Sequence, residues 1–580
     1  MKRGSLWIAL VVICALGAGA CGSSHHHVTP IPTNNFVFYA AGTDSAGNTY
    51  SIAGTVTITA DGNNTITGGI QDFNDGNGLT SPQLPAPGGD TILAAGSSLS
   101  FNPDGSGNAL LTLVTNNTEM GNAGTETFAL SYANANHALI AQFDDTATSM
   151  GSFDLQTLPS TAINSVSFSF TSSGVDADFF PVAEGGVFSL DGSGNVTGSV
   201  DINDGGTVTF ANSPSEGTLI PASDTFGRGT VTGSLDGTSA VVNFYIVNSE
   251  VIRLIDVDSN DTAVGSAFGQ GSTAGSFAPS SIGQSAFNIS GIDDLLLYNG
   301  AGQFFTFDDE DAAKPKSNKR PARPQGVLAC SGADTCAFEG TADVNESVDG
   351  GDVSLDAAFD GTYLLAGNGY GSFTFVDPPA DTDIALFGVY AVDPTLNILD
   401  PNNSASGLTG GALIAEMDSN LIGTGVLIPQ VAAPAVSDIA ADVVFGAQGN
   451  GDVDGTIDEF DLLGASTVDA GAFSGEGFID DPAAILTGTA IVDNNSTFSA
   501  TFTDDGSGIG RYLSGEGGFV ATDSVGDAID FSVTAYDANG DQLFWVETDE
   551  DFTWGGSIQA STFEVPDAKK AQAKPRTKSK

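Results

Sequence analysis

Basic side chains are scarce in this chain. Lysine and arginine together number 16 among 580 residues, against 71 aspartates and glutamates, so the formal net charge is −55. After Arg3, and outside two short basic segments, the only lysine or arginine residues are Arg228, Arg253 and Arg511. A body this acidic repels a phosphate backbone, which argues against nucleic acid as a partner. It attracts divalent cations or cationic ligands, unless the carboxylates serve only to keep the surface soluble.

Histidine is almost as rare, which limits the enzyme mechanisms open to the chain. His25, His26 and His27 lie together near the N-terminus, and His137 is the only other histidine. Any histidine-dependent reaction in the body of the protein would therefore have to use His137. The sequence has no G-x-S-x-G elbow, no H-E-x-x-H zinc motif and no P-loop. Carboxylates are plentiful, so a glycosidase that uses a pair of acids stays open.

Cysteine is limited to four residues, two of which lie near the N-terminus. The other two, Cys330 and Cys336, flank a turn-like run at 331–335. This spacing predicts a disulfide that closes a hairpin in an oxidising compartment. A loop this short stabilises the fold by about 2 kcal/mol in the chain-entropy model. A redox-active pair is the alternative, although the spacing is not C-x-x-C.

The composition favours β structure. Good helix formers such as lysine, arginine and methionine are few, whereas glycine (75) and phenylalanine (37) are abundant. A hydrophobic fraction of 41% excludes a fully disordered chain, and 580 residues are too many for one core. We therefore expect an all-β protein of tandem antiparallel β-sandwich or β-barrel repeats, with a propeller-like closure as the alternative.

Two landmarks recur at a domain-sized spacing and predict four repeats. One is an aspartate after a strand-like segment, at Asp72, Asp201, Asp343 and Asp458. The other is an aspartate followed seven positions later by glycine, at Asp144/Gly151, Asp258/Gly265, Asp400/Gly407 and Asp549/Gly556. The predicted segments are a signal peptide at 1–21, a polar tether at 22–34, β repeats at 35–160, 161–282, 283–430 and 431–566, a basic Pro-rich insertion near 308–326 in the third repeat, and a basic disordered tail at 567–580.

The N-terminal segment has the pattern of an export signal. Lys2 and Arg3 precede an apolar run at 6–16, and the small residues 18–20 lead directly to Cys21. This segment resembles the lipobox of bacterial lipoproteins. The resemblance implies cleavage before Cys21, attachment of lipid (including palmitate) to that residue, and, because Gly22 rather than aspartate follows, residence at the outer membrane. The small residues also fit a general A-x-A cleavage site, so a soluble secreted protein is the alternative.

The strongest chemical motif lies in the fourth repeat, at 450–461. Oxygen-bearing side chains at alternating positions around Gly455 suit a hard cation such as calcium. The segment resembles the calcium loop of EF-hand and dockerin proteins, and the resemblance implies ligands at Asn450, Asp452, Asp454, Thr456, Asp458 and Asp461. An acidic, glycine-rich turn of a hairpin is the alternative interpretation.

These patterns predict an exported, lipid-anchored protein of the cell envelope. We expect a non-enzymatic surface binding or structural module, stabilised by calcium if the loop binds it, with membrane contact through Cys21. Its ligand would be an envelope polysaccharide or a cationic molecule, and no other cofactor is expected. A carbohydrate-active enzyme that uses paired carboxylates is the alternative. Trp545 and Trp554 could stack on sugars, although alternating aromatics in strands more often belong to a core.

Overall fold

The computed structural model describes residues 33–563 apart from internal gaps, the longest of which are 77–88, 309–329 and 347–352. Every long element in this part of the chain is a β-strand. The helical pieces described are short 3₁₀ turns at Gly271–Thr273, Pro279–Ser281 and Val436–Asp438. No helix among the described residues is long and apolar enough to cross a bilayer. The predicted all-β class is confirmed.

Three closed antiparallel barrels follow one another along the chain. The first barrel consists of β1 Thr33–Asp44, β2 Thr49–Thr59, β3 Ile66–Asn74, β4 Asp90–Phe101, β5 Asn108–Thr115, β6 Thr125–Asn134, β7 His137–Gln142 and β8 Ala147–Leu155. The second barrel consists of β9 Ser167–Asp176, β10 Pro181–Leu190, β11 Asn195–Asp204, β12 Thr207–Pro221, β13 Arg228–Leu235, β14 Thr238–Asn248, β15 Val251–Asp256 and β16 Asp261–Gly269. The third barrel consists of β17 Ser285–Asp293, β18 Leu296–Asp308, β19 Cys336–Asn345, β20 Val353–Leu365, β21 Tyr370–Asp377, β22 Leu386–Ala391, β23 Ala412–Glu416 and β24 Leu421–Pro429.

The fourth unit is an 11-stranded sheet that curls into a half-barrel without closing. Its strands are β25 Asp442–Val453, β26 Thr456–Asp469, β27 Ala472–Asp481, β28 Ile491–Thr501, β29 Thr503–Asp504, β30 Arg511–Leu513, β31 Phe519–Thr522, β32 Ala528–Phe531, β33 Val533–Asp537, β34 Gln542–Glu547 and β35 Phe552–Ala560. The prediction of tandem antiparallel barrels is thus confirmed, and the propeller alternative is not adopted. The exact domain boundaries given above stay a prediction.

The hydrogen-bond register shows which positions of the four units correspond. A glycine of each first strand faces the second strand, in the pairs Gly42 with Tyr50, Gly174 with Val182, Gly291 with Tyr298 and Gly449 with Phe460. The closing strands carry a second glycine, at Gly151, Gly265, Gly425 and Gly556. A Cβ atom at Gly151 would lie 1.8 Å from the Tyr39 carbonyl oxygen, so the approach of the two strands requires glycine there.

This register corrects two of the sequence landmarks. In the third barrel the Asp/Gly pair is Asp418/Gly425, because Asp418 accepts a hydrogen bond from the Ala385 N–H as Asp258 does from Val241. Asp400 lies instead in the long connection between β22 and β23. In the fourth unit the position of Asp72, Asp201 and Asp343 is taken by Phe478 rather than by Asp458. The long connection and the β25–β26 hairpin each contain an aspartate that fits the spacing of a repeat landmark. Neither aspartate occupies the corresponding position in the structure.

Alternation along the strands sends one set of side chains into each barrel and the other toward neighbouring units. The inner sets of the first, third and fourth units are rich in aromatic residues, such as Phe128, Phe338 and Trp545. The third-barrel core also contains Cys330 and Cys336, which form a disulfide with Cα atoms 6.0 Å apart. The core cluster of the second barrel is smaller: Phe168, Phe170, Val200, Phe244, Ile246, Ile252, Leu254 and Ala267.

Each unit contacts the next, and the fourth returns to the first. Asp72 of the first barrel forms an ion pair with Arg228 of the second, with Nη2 and Oδ1 2.7 Å apart. Asp201 of the second barrel accepts a hydrogen bond of 2.7 Å from the hydroxyl of Tyr390 in the third. Asp343 of the third pairs with Arg511 of the fourth. The cycle closes where Phe478 packs against Phe143 of the first barrel.

Candidate functional site

The interior of the second barrel contains a cavity of about 100 Å³. Its wall is mainly apolar and includes Phe170, Phe188, Leu219, Ile252 and Leu254. An eight-stranded barrel is just wide enough either for its own side chains to fill it or for one small ligand to enter. The second barrel therefore has room for an apolar group, whereas a cavity lined by phenylalanines in the third barrel measures only about 20 Å³.

One residue that lines this cavity differs from its counterparts in the other three units. The residue opposite the first-strand glycine is Tyr50 in the first barrel, Tyr298 in the third and Phe460 in the half-barrel, and all three are buried. The second barrel has Val182 at this position. Valine lacks the ring that the other units place across the end of the barrel, so the space remains open.

A carboxylate stands two residues further along the same strand. Glu184 corresponds by register to Ile52, Gly300 and Leu462 of the other units, so only the second barrel has an ionisable group here. The Ser172 hydroxyl donates a hydrogen bond of 2.9 Å to Glu184 Oε2. Burial, together with the nearby charges of Asp261 and Asp258, raises the pKa of Glu184 to about 7. Glu184 therefore changes its charge within the physiological pH range.

Three further carboxylates gather at the same end of the barrel. Asp256, Asp258 and Asp261 each offer an oxygen atom, and these atoms lie within 4.8 Å of one another. Burial and neighbouring carboxylates raise the pKa of Asp261 to about 6 and the pKa of Asp256 well above its usual value. The Asn74 side chain of the first barrel holds this turn by donating to the carbonyl oxygens of Asp256 (3.0 Å) and Asp261 (2.8 Å). This is the one group of three potential metal ligands found among the described residues.

Exposed aromatic residues border this acidic end. Phe179 and Phe180 lie in and next to the β9–β10 turn and are 64% and 50% exposed. Phe210, near the start of β12, is 44% exposed. Strand β9 ends with Asp176 paired to Asp261, so the turn and the carboxylates occupy the same end of the barrel. The site thus combines an apolar interior, an acidic end and an aromatic rim, which suits a molecule with an apolar body and a cationic head.

A second cavity, of about 360 Å³, lies where all four units meet. Tyr39, His137, Arg253, Asn288 and Gln559 are among the residues that line it. Its charges are compensated internally, because Arg253 donates to Asp154 at 2.6 Å and its guanidinium lies 4.6 Å from the centre of the Tyr39 ring. The cavity therefore gives no preference for a charged ligand.

His137 is held in the same buried network. Its Nδ1 lies 2.8 Å from Asp154 Oδ1, and its Nε2 lies 3.1 Å from Gln559 Oε1. Burial alone would lower the pKa of His137, but the hydrogen bond to Asp154 and the charge of Asp400 raise it. Both ring nitrogens have partners inside the protein, so the geometry assigns His137 to holding the barrels together. Trp545 and Trp554, the candidates for sugar stacking, are both buried in the core of the half-barrel.

The predicted calcium loop is a β-hairpin in the structure. Asn450–Val453 and Thr456–Asp461 lie on the paired strands β25 and β26, with Asn450 opposite Glu459 and Asp452 opposite Ile457. Asp461 lies beyond the hairpin end, buried against the first barrel. Binding of calcium by Asn450, Asp452, Asp454, Thr456, Asp458 and Asp461 as one loop stays a prediction. Cys21, the tether up to residue 32, most of the basic insertion and the tail fall outside the described residues.

The residues of the second-barrel site were not identified from the sequence. Asp258 enters the sequence analysis only as a repeat landmark, and no sequence motif marks Asp256 or Glu184. A signal for Glu184 exists, because β10 alternates apolar residues at Val182, Gly186 and Phe188 and places a glutamate in that series. A charged residue on an inner face marks a candidate binding position.

Comparison of the sequence with protein families and with curated proteins finds no match. Among solved structures, a Trp-176-Ala mutant of the vaccine antigen transferrin binding protein B from Haemophilus parasuis aligns over 91% of this chain and 95% of its own, with 9% identity and a TM-score of 0.18. Pseudomonas aeruginosa OpdQ aligns over 91% and 97%, with 9% identity and a TM-score of 0.10. Likenesses this slight carry no argument about function, which must come from the site itself.

Proposed function

We propose that this chain is an exported, lipid-anchored binding protein, without enzymatic activity, that holds a small amphipathic ligand in its second barrel. The observation that carries the proposal is the unfilled apolar interior of that barrel, ending in Glu184 and the Asp256–Asp261 turn. Three other units of the same repeat place an aromatic ring where this barrel has Val182. The missing ring is therefore particular to the second barrel, as expected of a site added to a common scaffold.

The charges support a cationic head group on the ligand. Glu184 and Asp261 have pKa values of about 7 and about 6, so both are largely ionised in mildly alkaline solution. Two or more carboxylates near one another repel, and an amine or quaternary ammonium group would relieve that repulsion. The apolar wall would bury the tail of the same molecule and gain about 25 cal/mol for each Å² removed from water. This agrees with the cationic ligand expected from composition.

The anchor belongs to the same proposal and rests on the sequence. The lipobox-like segment that ends at Cys21 supports lipid attachment and an outer-membrane location. Membrane fractionation of wild type and Cys21→Ser checks it, because the variant should leave the membrane fraction.

The binding proposal can be tested by filling the cavity. Val182→Tyr introduces the residue found at this position in the first and third barrels, where a glycine opposite makes room for it. Isothermal titration calorimetry with dodecylamine at pH 8 should show binding to the wild type and at least tenfold weaker binding to Val182→Tyr. The matched control is Val376→Tyr, at a valine that is 67% exposed, which should bind as the wild type does.

Two results would count against the proposal. Equal binding of dodecylamine by wild type and Val182→Tyr would show that the ligand does not bind in the second barrel. Sustained product release from envelope or plant polysaccharides by the wild type would contradict the non-enzymatic assignment and support the carbohydrate-active alternative.

A further inference from the structure

Three of the four junctions between units share an asparagine clasp. The clasp residue follows the repeated aspartate by two positions and its side-chain amide donates to backbone carbonyls of the turn before the closing strand of the next unit. Asn74 donates to Asp256 and Asp261, Asn203 to Glu416 and Leu421 (3.1 and 2.8 Å), and Asn345 to Glu547 and Phe552 (3.3 and 2.8 Å). An amide NH₂ is well matched to this position, because it supplies two donors to a turn that presents only acceptors.

The fourth junction has an aspartate where the clasp should be. Asp480 occupies the asparagine position, since it pairs with Asp461 as Asn74 pairs with Ser51 and Asn203 with Ala183. The carbonyls that correspond to those of Asp256 and Asp261 belong to Gln142 and Ala147 of the first barrel. An ionised carboxylate has no proton to donate, so this junction lacks the hydrogen bonds that close the other three.

Among the described residues, Asp480 and its cross-strand neighbour Asp461 have no hydrogen-bond partner of ordinary geometry. Each is 1% exposed, and no hydrogen bond of ordinary geometry reaches either oxygen of either carboxylate. The nearest donor to Asp461 is the Ser149 backbone N–H, which only partly offsets the effect of burial on the Asp461 pKa. Four carboxylate oxygens buried without a partner are costly, because burying an unpaired charge is among the most unfavourable events in folding.

No basic side chain among the described residues compensates these charges. In the described part of the chain the arginines are Arg228, Arg253 and Arg511, and they are paired with Asp72, Asp154 and Asp343 respectively. The groups around Asp480 are further carboxylates: Asp461, Asp144, Asp481 and Glu459 all raise its pKa, in addition to the larger effect of burial. The junction therefore consists of oxygen acceptors with no positive charge among the described residues.

We propose that a divalent cation, best matched by Ca²⁺, binds between the fourth and first units, with Asp461 and Asp480 as its carboxylate ligands. Calcium takes six to eight oxygen ligands from carboxylates and carbonyls, and tolerates irregular geometry better than magnesium does. Glu459 lies on the same face of β26 two residues away and is buried, so it places a further carboxylate near the ion. The ion would link the fourth unit to the first, as the asparagine amide links the units at the other three junctions.

The test compares thermal unfolding and calcium titration of the full-length chain in detergent. Wild type should unfold a few degrees higher in millimolar Ca²⁺ than in chelator at pH 8. Asp480→Asn restores the asparagine of the other junctions and should fold. It should unfold at a higher temperature than wild type in chelator, lose the calcium shift, and bind one ion fewer by calorimetry. Asp530→Asn, at an exposed acid on β32, is the matched control and should keep the shift.

A third variant separates this site from the predicted hairpin loop. Asp452→Asn/Asp454→Asn should leave the calcium shift in place if the ion lies between Asp461 and Asp480. The proposal is overturned if wild type unfolds at the same temperature in calcium and in chelator, or if Asp480→Asn keeps the full shift. It is equally overturned if the shift disappears in the hairpin variant and persists in Asp480→Asn, which would assign the ion to the loop.

Discussion

The second and third barrels are built on the same repeat and differ in what fills them. In the third barrel, Phe304, Phe338, Phe359 and Phe373 pack ring against ring and leave a residual space of about 20 Å³. In the second, Phe170 and Phe188 share the wall with valines and leucines, and a cavity of about 100 Å³ remains. Both have closed eight-stranded ladders, so strand pairing does not require a filled interior. The comparison teaches that the scaffold and the site are specified by different residues of the same strands.

The largest expected difference between the two barrels is the cost of truncating a core residue. Phe338 is 1% exposed and contacts several other rings, so Phe338→Ala should destabilise the third barrel by about 3–5 kcal/mol. Leu219 is only partly buried against the cavity, so Leu219→Ala should destabilise the second barrel by about 1 kcal/mol. Native-state hydrogen exchange, resolved by barrel, measures both. Equal losses would show that the second barrel is as tightly packed as the third.

Much of the fold was predictable from sequence, and the site was not. Glycine-rich turns, alternating phenylalanines and scarce helix formers were enough to predict tandem antiparallel barrels. Those patterns reveal which residues share a face, but not which rings meet across a barrel. Val182 is unremarkable until the register places it where the first barrel has Tyr50 and the third Tyr298. The calcium-like pattern at 450–461 lies on the paired strands β25 and β26, as the hairpin alternative expects, and its binding of calcium stays a prediction.

The contacts between units give a second physical reason why part of the structure could not be predicted from the sequence. The partner of Asp72 is Arg228, and the partner of Asp343 is Arg511, in each case a residue of the next unit far away in sequence. Local spacing contains no information about such pairs. It also could not distinguish Asp480, at a junction, from the many aspartates that form exposed turns, such as Asp523.

A second prediction uses the charge difference between the two barrels. Glu184 and Asp261 have pKa values of about 7 and about 6, so a cationic ligand should bind more tightly as the pH rises from 5 to 8. We expect a gain of about tenfold per carboxylate that becomes ionised near the head group. Dodecylamine titrations across this pH range measure it. Glu184→Gln should flatten the upper part of the curve, and neutral dodecanol should show the opposite or no trend.

The same ionisations should affect the stability of the second barrel in the absence of ligand. The folded-state pKa of Glu184 is raised above its unfolded value, so its contribution to stability is present at low pH and is lost as the pH rises through about 7. Glu184→Gln cannot lose a proton and should remove this part of the pH dependence. The third barrel has Gly300 at this position and should lack such a step.

The smallest expected effect comes from Ser172, which donates to Glu184 and lowers the pKa that burial raises. Ser172→Ala removes the donor but not the burial, so the pKa of Glu184 should rise further and the midpoint of dodecylamine binding should move to higher pH, by less than about one unit. Affinity at pH well above the midpoint should change little, because the carboxylate is then ionised in both proteins. Ser189→Ala, at an exposed serine pair on the same strand as Glu184, is the matched control. A lower midpoint in Ser172→Ala would mean that Ser172 stabilises the protonated acid, and Glu184 would then serve as a neutral hydrogen-bond donor to the ligand.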